Sequence, residues 1–530
     1  MKKPSARFFE FCERFRFLFL VLLLIVVLRI PNFFEPYWYG DEGIYLTIGN
    51  ALRGGEHLYR DIVDHKTPII YYLAMVPNQF SFRILTTIWM LITTVLFYSF
   101  AQKIFKNRWV LKLATVVFAL ATTLPALEGN IPNGELFVMG FVLAAITAIS
   151  HVPFVKSFLA SQEYSSNPKD SPATIKWSFI AGILASLAIL TKVPALFDAV
   201  ALGLFGWLTL SGAVLRRKKN FLSLLITIIK SCASLAVGLV IPLLFSVIYF
   251  QLRGSFNAYL NFGLLYNFHY AGNWQLHTSP LMNSLFSLPG KVALVALLLI
   301  LLTLLARFFS HRFQFLFGWF LLAVFASLLS NRPYPHYFLQ LVPPTVLLLS
   351  WGVQNVLTQL RPSSKNKEQR QKLELVFVIG AVVLLSVVKN VIGVEYYKNY
   401  QYYLRFWKLA TGQISQQEYQ NQFDSLVADN RAAAEIIRRS PDSQFFIWGT
   451  NPMLYAQTGK YPVGRFTVSF HIKDLRVLPE TLANLQAQKP RFIVVMKDEK
   501  DTFPELNTWL AQEYMPNVQF EDYTLWMRQN

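Results

Sequence analysis

The sequence predicts a polytopic α-helical membrane protein, a bundle of about eleven transmembrane helices followed by a small C-terminal α/β domain on the extracytoplasmic side. Three observations carry this expectation. The 530 residues are 54% hydrophobic and only 15% charged, with mean hydropathy +0.37, too apolar for a single soluble globule. The apolar residues fall in runs long enough to cross a bilayer. The Lys and Arg behind the net charge of +19 sit in short tracts between those runs, as topology determinants do, and form no single basic face. Nucleic acid is excluded as a partner on the same ground. Cys12 and Cys232 lie far apart, in or beside predicted helices, so neither a disulfide framework nor a Cys-based zinc site is available.

Lys2, Lys3, Arg7, Arg14 and Arg16 place the N-terminus in the cytoplasm. The apolar run behind them resembles a signal peptide but leads into Arg29-Ile-Pro31 with no small-x-small cleavage site, and reads as a retained first span over 17–34. Further spans follow over 82–100, 109–127, 136–154, 177–190, 193–210, 222–250, 285–306, 313–329, 338–357 and 373–388. The basic tracts at 103–108, 216–219, 307–312 and 361–372 then all fall on the cytoplasmic side, in a multi-pass protein of the inner (plasma) membrane. This sets a transmembrane domain at 1–388, with its first outer loop at 35–80. An interfacial helix and linker follow at 389–427, and a soluble domain at 428–530. In that last domain the sequence predicts helices over 430–439, 479–487 and 505–513 and buried strands over 444–448 and 492–496.

Candidate chemistry collects at outer ends of spans, where ionisable groups are costly unless they line a cavity. The densest stretch is 38–68. Asp41 and Glu42 are adjacent carboxylates at the hydrocarbon edge, and two readings stand: caps of a short helix starting near Gly40, or one general base, its pKa raised by burial and repulsion, beside one structural partner. Lys66 is either a snorkelling interfacial cation or the partner of an anion. Arg29, near the outer end of the first span, can pair with Asp41. Glu128 and Glu135 flank the second outer turn together with Asn133, and Glu135 is either a helix cap or a hydroxyl acceptor. Arg332, His336 and Tyr337 share a later outer turn, where Tyr also suits an aromatic belt. Lys192, at a hairpin tip, reads as an anchor. His57, Asp64 and His65 with Glu42 have no diagnostic metal spacing, so no metal and no cofactor are expected.

The motifs Asp41-Glu42-x-x-Tyr45, Gly55-x-x-x-Tyr59-x-Asp61 and Asp64-His65-Lys66-Thr67-Pro68 resemble the first outer loop of the C-type (GT-C) polyprenyl-phosphate-sugar glycosyltransferases. That class includes bacterial relatives of protein O-mannosyltransferases and the lipid A aminoarabinose transferase. The resemblance extends over about residues 1–350, and Lys66-Thr67-Pro68 departs from the commoner Lys-Pro-Pro while keeping the lysine. It implies a GT-C-like bundle and inverting transfer of a sugar from an undecaprenyl- or dolichyl-phosphate carrier to a glycan, lipid or protein hydroxyl on the outer side. By position it makes Asp41 the base, with Glu42 beside it, and sets Lys66 on the departing lipid phosphate, a role also open to Arg29, Arg332 and His336. Glu128, Asn133, Glu135 and Tyr337 become sugar or acceptor contacts. A transporter or flippase of a lipid-linked glycan precursor is the alternative; it requires charges near mid-span and paired broken helices. Acceptor choice is expected in 251–283 and in the C-terminal tail.

Overall fold

The computed structural model describes residues 6–162, 164, 167–215, 221–272, 274, 276, 278–359 and 365–529. Lys2 and Lys3, the basic tract 216–219 and the first four residues of the basic tract 361–372 lie outside them. A helix occupies each of the eleven predicted spans. Six are long and apolar enough to cross a membrane by length and composition: Phe15–Phe34, Gln79–Ile104, Ser171–Thr191, Val193–Val214, Phe221–Leu252 and Asn366–Ile392. Two bent pairs, Gly134–Ile149 with Pro153–Ala160 and Pro280–Phe286 with Leu288–Leu304, bring the number up to eight. Arg108–Ala121, His311–Ser327 and Val342–Gln359 fill the other predicted spans with 14, 17 and 18 residues.

Small and hydroxylated residues hold the bundle together. Ser171–Thr191 and Phe221–Leu252 cross where Gly182 faces the Leu235 carbonyl and Gly238 faces the Phe179 carbonyl, and a Cβ at either glycine would collide with that backbone. In Gln79–Ile104 the hydroxyls of Thr86, Thr87, Thr93 and Thr94 donate to carbonyls one turn back, which satisfies them without water. His311–Ser327 is buried along its whole length, while Leu23, Val27, Ile92 and Val383 point outward from other helices, as lipid-facing residues do.

At one end of the bundle the stretch 35–80 folds into the helix Gly40–Arg53, a turn-rich segment and the short helix Ile69–Leu73. Segment 251–283, expected as a loop, is largely helical: a π-helical turn, Tyr259–Leu265, runs into Tyr266–Gly272. Tyr259 anchors that turn by packing on Tyr59 and Phe250.

Beyond Ile392 come the helices Asn399–Ala410 and Gln416–Asn421, the second opened by a capping box between Ser415 and Glu418. A five-stranded sheet follows: β1 (Gln444–Trp448), β2 (Tyr461–Pro462), β3 (Phe492–Met496), β4 (Tyr514–Gln519) and β5 (Tyr523–Arg528), in the order β2-β1-β3-β5-β4. β1 is parallel to β2 and β3, with Ile447 opposite Val494, and β5 is antiparallel to β3 and β4. The predicted strands are both present; the β4–β5 hairpin was not expected. This unit docks on the loop end of the bundle, with Val63 bridged to Phe466 and the Thr47 hydroxyl near the Pro452 carbonyl.

Candidate active site

Asp41 lies in the first turn of Gly40–Arg53, but the N-cap is Tyr39 and no side chain caps the helix, so the carboxylate is not spent on capping. It receives Lys66 Nζ at 3.3 Å on Oδ1 and the Tyr45 hydroxyl at 3.2 Å on Oδ2, while His336 Nε2 stands 4.0 Å from Oδ2. Glu42, one residue on, faces the other way. Arg83 Nε reaches its Oε1 at 2.9 Å, and Arg83 Nη2 and Gln79 Nε2 reach its Oε2 at 2.7 and 2.9 Å. Of the expected catalytic pair only Asp41 is therefore placed toward Lys66; Glu42 is bound into a buried ion pair. Arg83 also meets Glu35 at 3.3 Å.

Lys66 does not snorkel. It is buried, with Asp64 Oδ2 3.8 Å from Nζ, and the Tyr59 hydroxyl pins its carbonyl at 2.6 Å. Asp64 is fully buried; its Oδ2 accepts from the Tyr71 hydroxyl at 2.5 Å, while its Oδ1, with no hydrogen-bond partner among the described residues, has His65 Nδ1 at 3.1 Å and His471 Nε2 at 3.4 Å. Asp64, His65 and His471 offer three donor atoms within 4.8 Å of one another, a set able to hold a metal ion. Two other conceivable ligands are engaged elsewhere, His57 by Asp61 and Glu42 by Arg83.

The second outer turn, around Glu128, and the later turn that holds Arg332 and Tyr337 meet at His336. Its Nδ1 pairs with Glu128, whose Oε2 also accepts from the Tyr39 hydroxyl at 2.6 Å. Glu128 holds this place with left-handed backbone (φ 58), strain of the kind that persists where surrounding contacts fix a side chain. Glu135 likewise is no cap: it pairs with Lys192, which stands 4.2 Å over the Tyr337 ring. Lys192, read from sequence as an anchor, thus belongs to the site.

Electrostatics follow from this packing. Burial raises the Asp41 carboxyl, but Lys66 and then His336 outweigh it and hold the group below its ordinary value, opposite to the raised base expected from sequence. Asp64 is held lower still, burial being overcome by His65 and Lys66. Burial lowers the Lys66 ammonium, yet Asp41 and Asp64 leave it raised overall. His336 is also raised, burial notwithstanding, by Glu128 and Glu135.

A cavity of about 780 Å³ opens beside Lys66. Its head carries His65, Lys66, Glu135, Lys192 and Tyr337, and its length is lined by apolar residues such as Val193, Leu288, Val292, Phe325 and Leu329. Arg332 lies alongside, its guanidinium 4.0 Å from Tyr270 and 5.1 Å from Trp274, with a buried Nε that has no hydrogen-bond partner among the described residues. Two expected contacts are placed elsewhere. Arg29 is buried against the carbonyls of Thr122, Gly129 and Asn130 and ties down the second outer turn instead of meeting Asp41 or the cavity. Asn133 is buried too, its Nδ2 reaching the Glu128 carbonyl at 3.4 Å. His336, expected on the phosphate, faces two carboxylates.

No protein-family model and no curated protein sequence matches the chain. Among solved structures, apo ArnT from Cupriavidus metallidurans aligns over 96% of this chain and 97% of its own, at TM-score 0.52 and 14% identity. The chain shares the ArnT fold. ArnT bound to undecaprenyl phosphate aligns over the same shares at TM-score 0.49 and 14% identity. The archaeal oligosaccharyltransferase AglB from Archaeoglobus fulgidus, in complex with an inhibitory peptide and a dolichol-phosphate, aligns over 98% of this chain and 74% of its own at TM-score 0.41 and 12% identity. ArnT and AglB are both C-type glycosyltransferases. The ArnT likeness spans the bundle and the sheet alike.

Proposed function

We propose that the chain is an integral-membrane inverting glycosyltransferase that moves a sugar from a polyprenyl-phosphate carrier to an acceptor hydroxyl at the outer face. Fold alone does not decide function. The observation that carries the reading is a buried lysine at the polar head of an apolar cavity, 3.3 Å from a carboxylate that spends nothing on capping. A lipid phosphate needs a cation at its head and an apolar channel for its tail. Lys66 supplies the first and the cavity the second, with Lys192 and Arg332 as further cations nearby.

In the transfer the acceptor oxygen attacks the anomeric carbon from the side opposite the phosphate. The bond between that carbon and the phosphate oxygen breaks, its electron pair leaves on the phosphate, and the acceptor proton passes to Asp41. Lys66 meets the charge that develops on the leaving group, where a preorganised cation in dry surroundings is most effective. Donor binding draws Lys66 from Asp41, and loss of that ion pair lifts the carboxylate from its depressed resting pKa toward that of a working base.

The test is release of lipid phosphate from a panel of polyprenyl-phosphate sugars by the full chain in nanodiscs, with water and envelope extract as acceptors. Asp41→Asn is expected to lower turnover by about 10²–10⁴-fold, the usual share of a general base, while the variant still binds the carrier. Wild-type turnover by Asp41→Asn removes Asp41 from the mechanism. Absence of cleavage of every donor by the wild-type chain removes the transferase reading.

A further inference from the structure

A second cavity, of about 520 Å³, lies across the His336 turn from the first. The turn Pro335–Phe338 divides the two: Tyr334 and Pro335 line the second, whereas Tyr337 lines the first. Glu128 forms part of its wall and, through His336, connects it to Asp41. The opposite wall is built from the extended segment and helix that follow the last long helix, with Glu395, Tyr397, Lys398 and Gln401 among its residues. We propose that this cavity binds the acceptor as a saccharide. The inference rests on the glycosyl-transfer reading above and specifies the substrate class of its second half.

Three features select that chemistry. Tyr334, Tyr396 and Tyr397 line the cavity at 40%, 46% and 43% exposure; Tyr334 stacks on His336 and Tyr397 packs edge-on to Trp38, contacts that hold the rings in place while part of each stays open to the hollow. Such faces take the C–H face of a pyranose ring. Next to them the side chains of Glu395, Lys398 and Gln401 have no hydrogen-bond or ion-pair partner among the described residues, which leaves acceptors and donors together, as sugar hydroxyls require. The volume falls within the range of about 300–1,000 Å³ typical of small-ligand sites, and the wall carries too many charges for a lipid tail. The cavity thus lies across the His336 turn from the apolar donor cavity, with Glu128 and His336 between it and Asp41.

The test uses the full chain in nanodiscs with photoreactive diazirine probes: alkyl glucoside, galactoside and N-acetylglucosaminide, the same sugars as free methyl glycosides, and a peptide of matched size. Expected are crosslinks from a sugar probe to peptides holding Tyr334 or residues 395–405. Labelling by alkyl glycosides alone assigns a glycolipid acceptor, and labelling by both sets extends it to soluble glycans. For any acceptor found, Tyr397→Ala is expected to raise KM about tenfold, the value of one aromatic stacking contact, with kcat little changed. Sugar labelling confined to other peptides, or labelling of this cavity by the peptide probe alone, overturns the inference. Donor cleavage with water and with envelope extract is measured in the same preparation. Its absence overturns the transferase reading and the acceptor role with it; its presence beside an unlabelled cavity overturns this inference only.

Discussion

Glu42→Gln separates the two adjacent carboxylates by what each loses. The substitution keeps the size of the side chain and one carbonyl oxygen but removes the charge that Arg83 grips at 2.9 and 2.7 Å. Breaking a buried ion pair by neutralising one partner costs about 3–5 kcal/mol, because the other charge stays buried. Arg83 retains Glu35 at 3.3 Å, so the low end applies, about 3 kcal/mol, or roughly two orders of magnitude in the folded-to-unfolded ratio. The assay is equilibrium unfolding of the full chain in bicelles, read beside donor cleavage per folded molecule. Expected is a large loss of stability with cleavage per folded molecule near wild type, whereas Asp41→Asn, at a partly exposed side chain and leaving Lys66 its second partner Asp64, loses cleavage per folded molecule. A cycle with Arg83→Met should be non-additive by about 1–3 kcal/mol, since both substitutions break one contact. Wild-type stability with lost cleavage in Glu42→Gln would refute this assignment and make Glu42 the reacting carboxylate.

Two further predictions use other parts of the site. Because Asp41 is held below the ordinary carboxylate value, the chain without donor keeps it ionised down to below about pH 3.9, and activity is lost only as pH falls through that depressed pKa; the acid limb of kcat/KM should lie there and that of kcat higher, since donor takes Lys66 away. Coincident limbs, or a kcat/KM limb near pH 6, would contradict the Lys66 exchange. At the docking face of the sheet unit, a Cβ on Gly43 would stand 2.8 Å from Met453 N, so Gly43→Ala should cost about 1–3 kcal/mol and expose residues 389–427 to protease; unchanged proteolysis would show that this contact does not hold the unit in place.

What was legible in the sequence is what hydropathy and local spacing encode. The apolar runs became helical segments, six of them, or up to eight with the bent pairs, long and apolar enough to cross a membrane among the described residues, and β1 and β3 match the predicted strands because both are short apolar runs, with β3 buried along its whole length. The β4–β5 hairpin was missed because β4 is an edge strand with Pro516 and Asn517 in it and only Tyr514 buried, so it carries neither alternation nor an apolar run. In the site, the 41–66 stretch announced itself through charge density beside an apolar run. The partners of those charges did not. Lys192 meets Glu135, 57 positions away, and His471 meets His65, 406 positions away, distances at which one sequence carries no pairing signal. The sign of the Asp41 shift failed for the same reason: adjacency suggested repulsion from Glu42, while the fold turned Glu42 to Arg83 and brought Lys66 instead.

The charge arrangement at Lys66 also constrains the order of events. The ammonium sits 3.3 Å from Asp41 and 3.8 Å from Asp64, two carboxylates against one cation, so a phosphate arriving at it meets a site already compensated. Asp64 is fully buried and tied to Tyr71, His65 and His471, and cannot move away without stranding a buried charge. Asp41 is the movable partner, at 27% side-chain exposure and with His336 Nε2 4.0 Å away to receive it. On the transfer reading proposed above, displacement of Lys66 toward the phosphate would leave His336, 4.0 Å away, as the basic group next to Asp41. On that reading donor binding would remove the strongest of the cations that hold the Asp41 carboxyl down, whereas water-filled donor space leaves it paired with lysine. That coupling favours donor-first order and restrains proton abstraction until a sugar is in place.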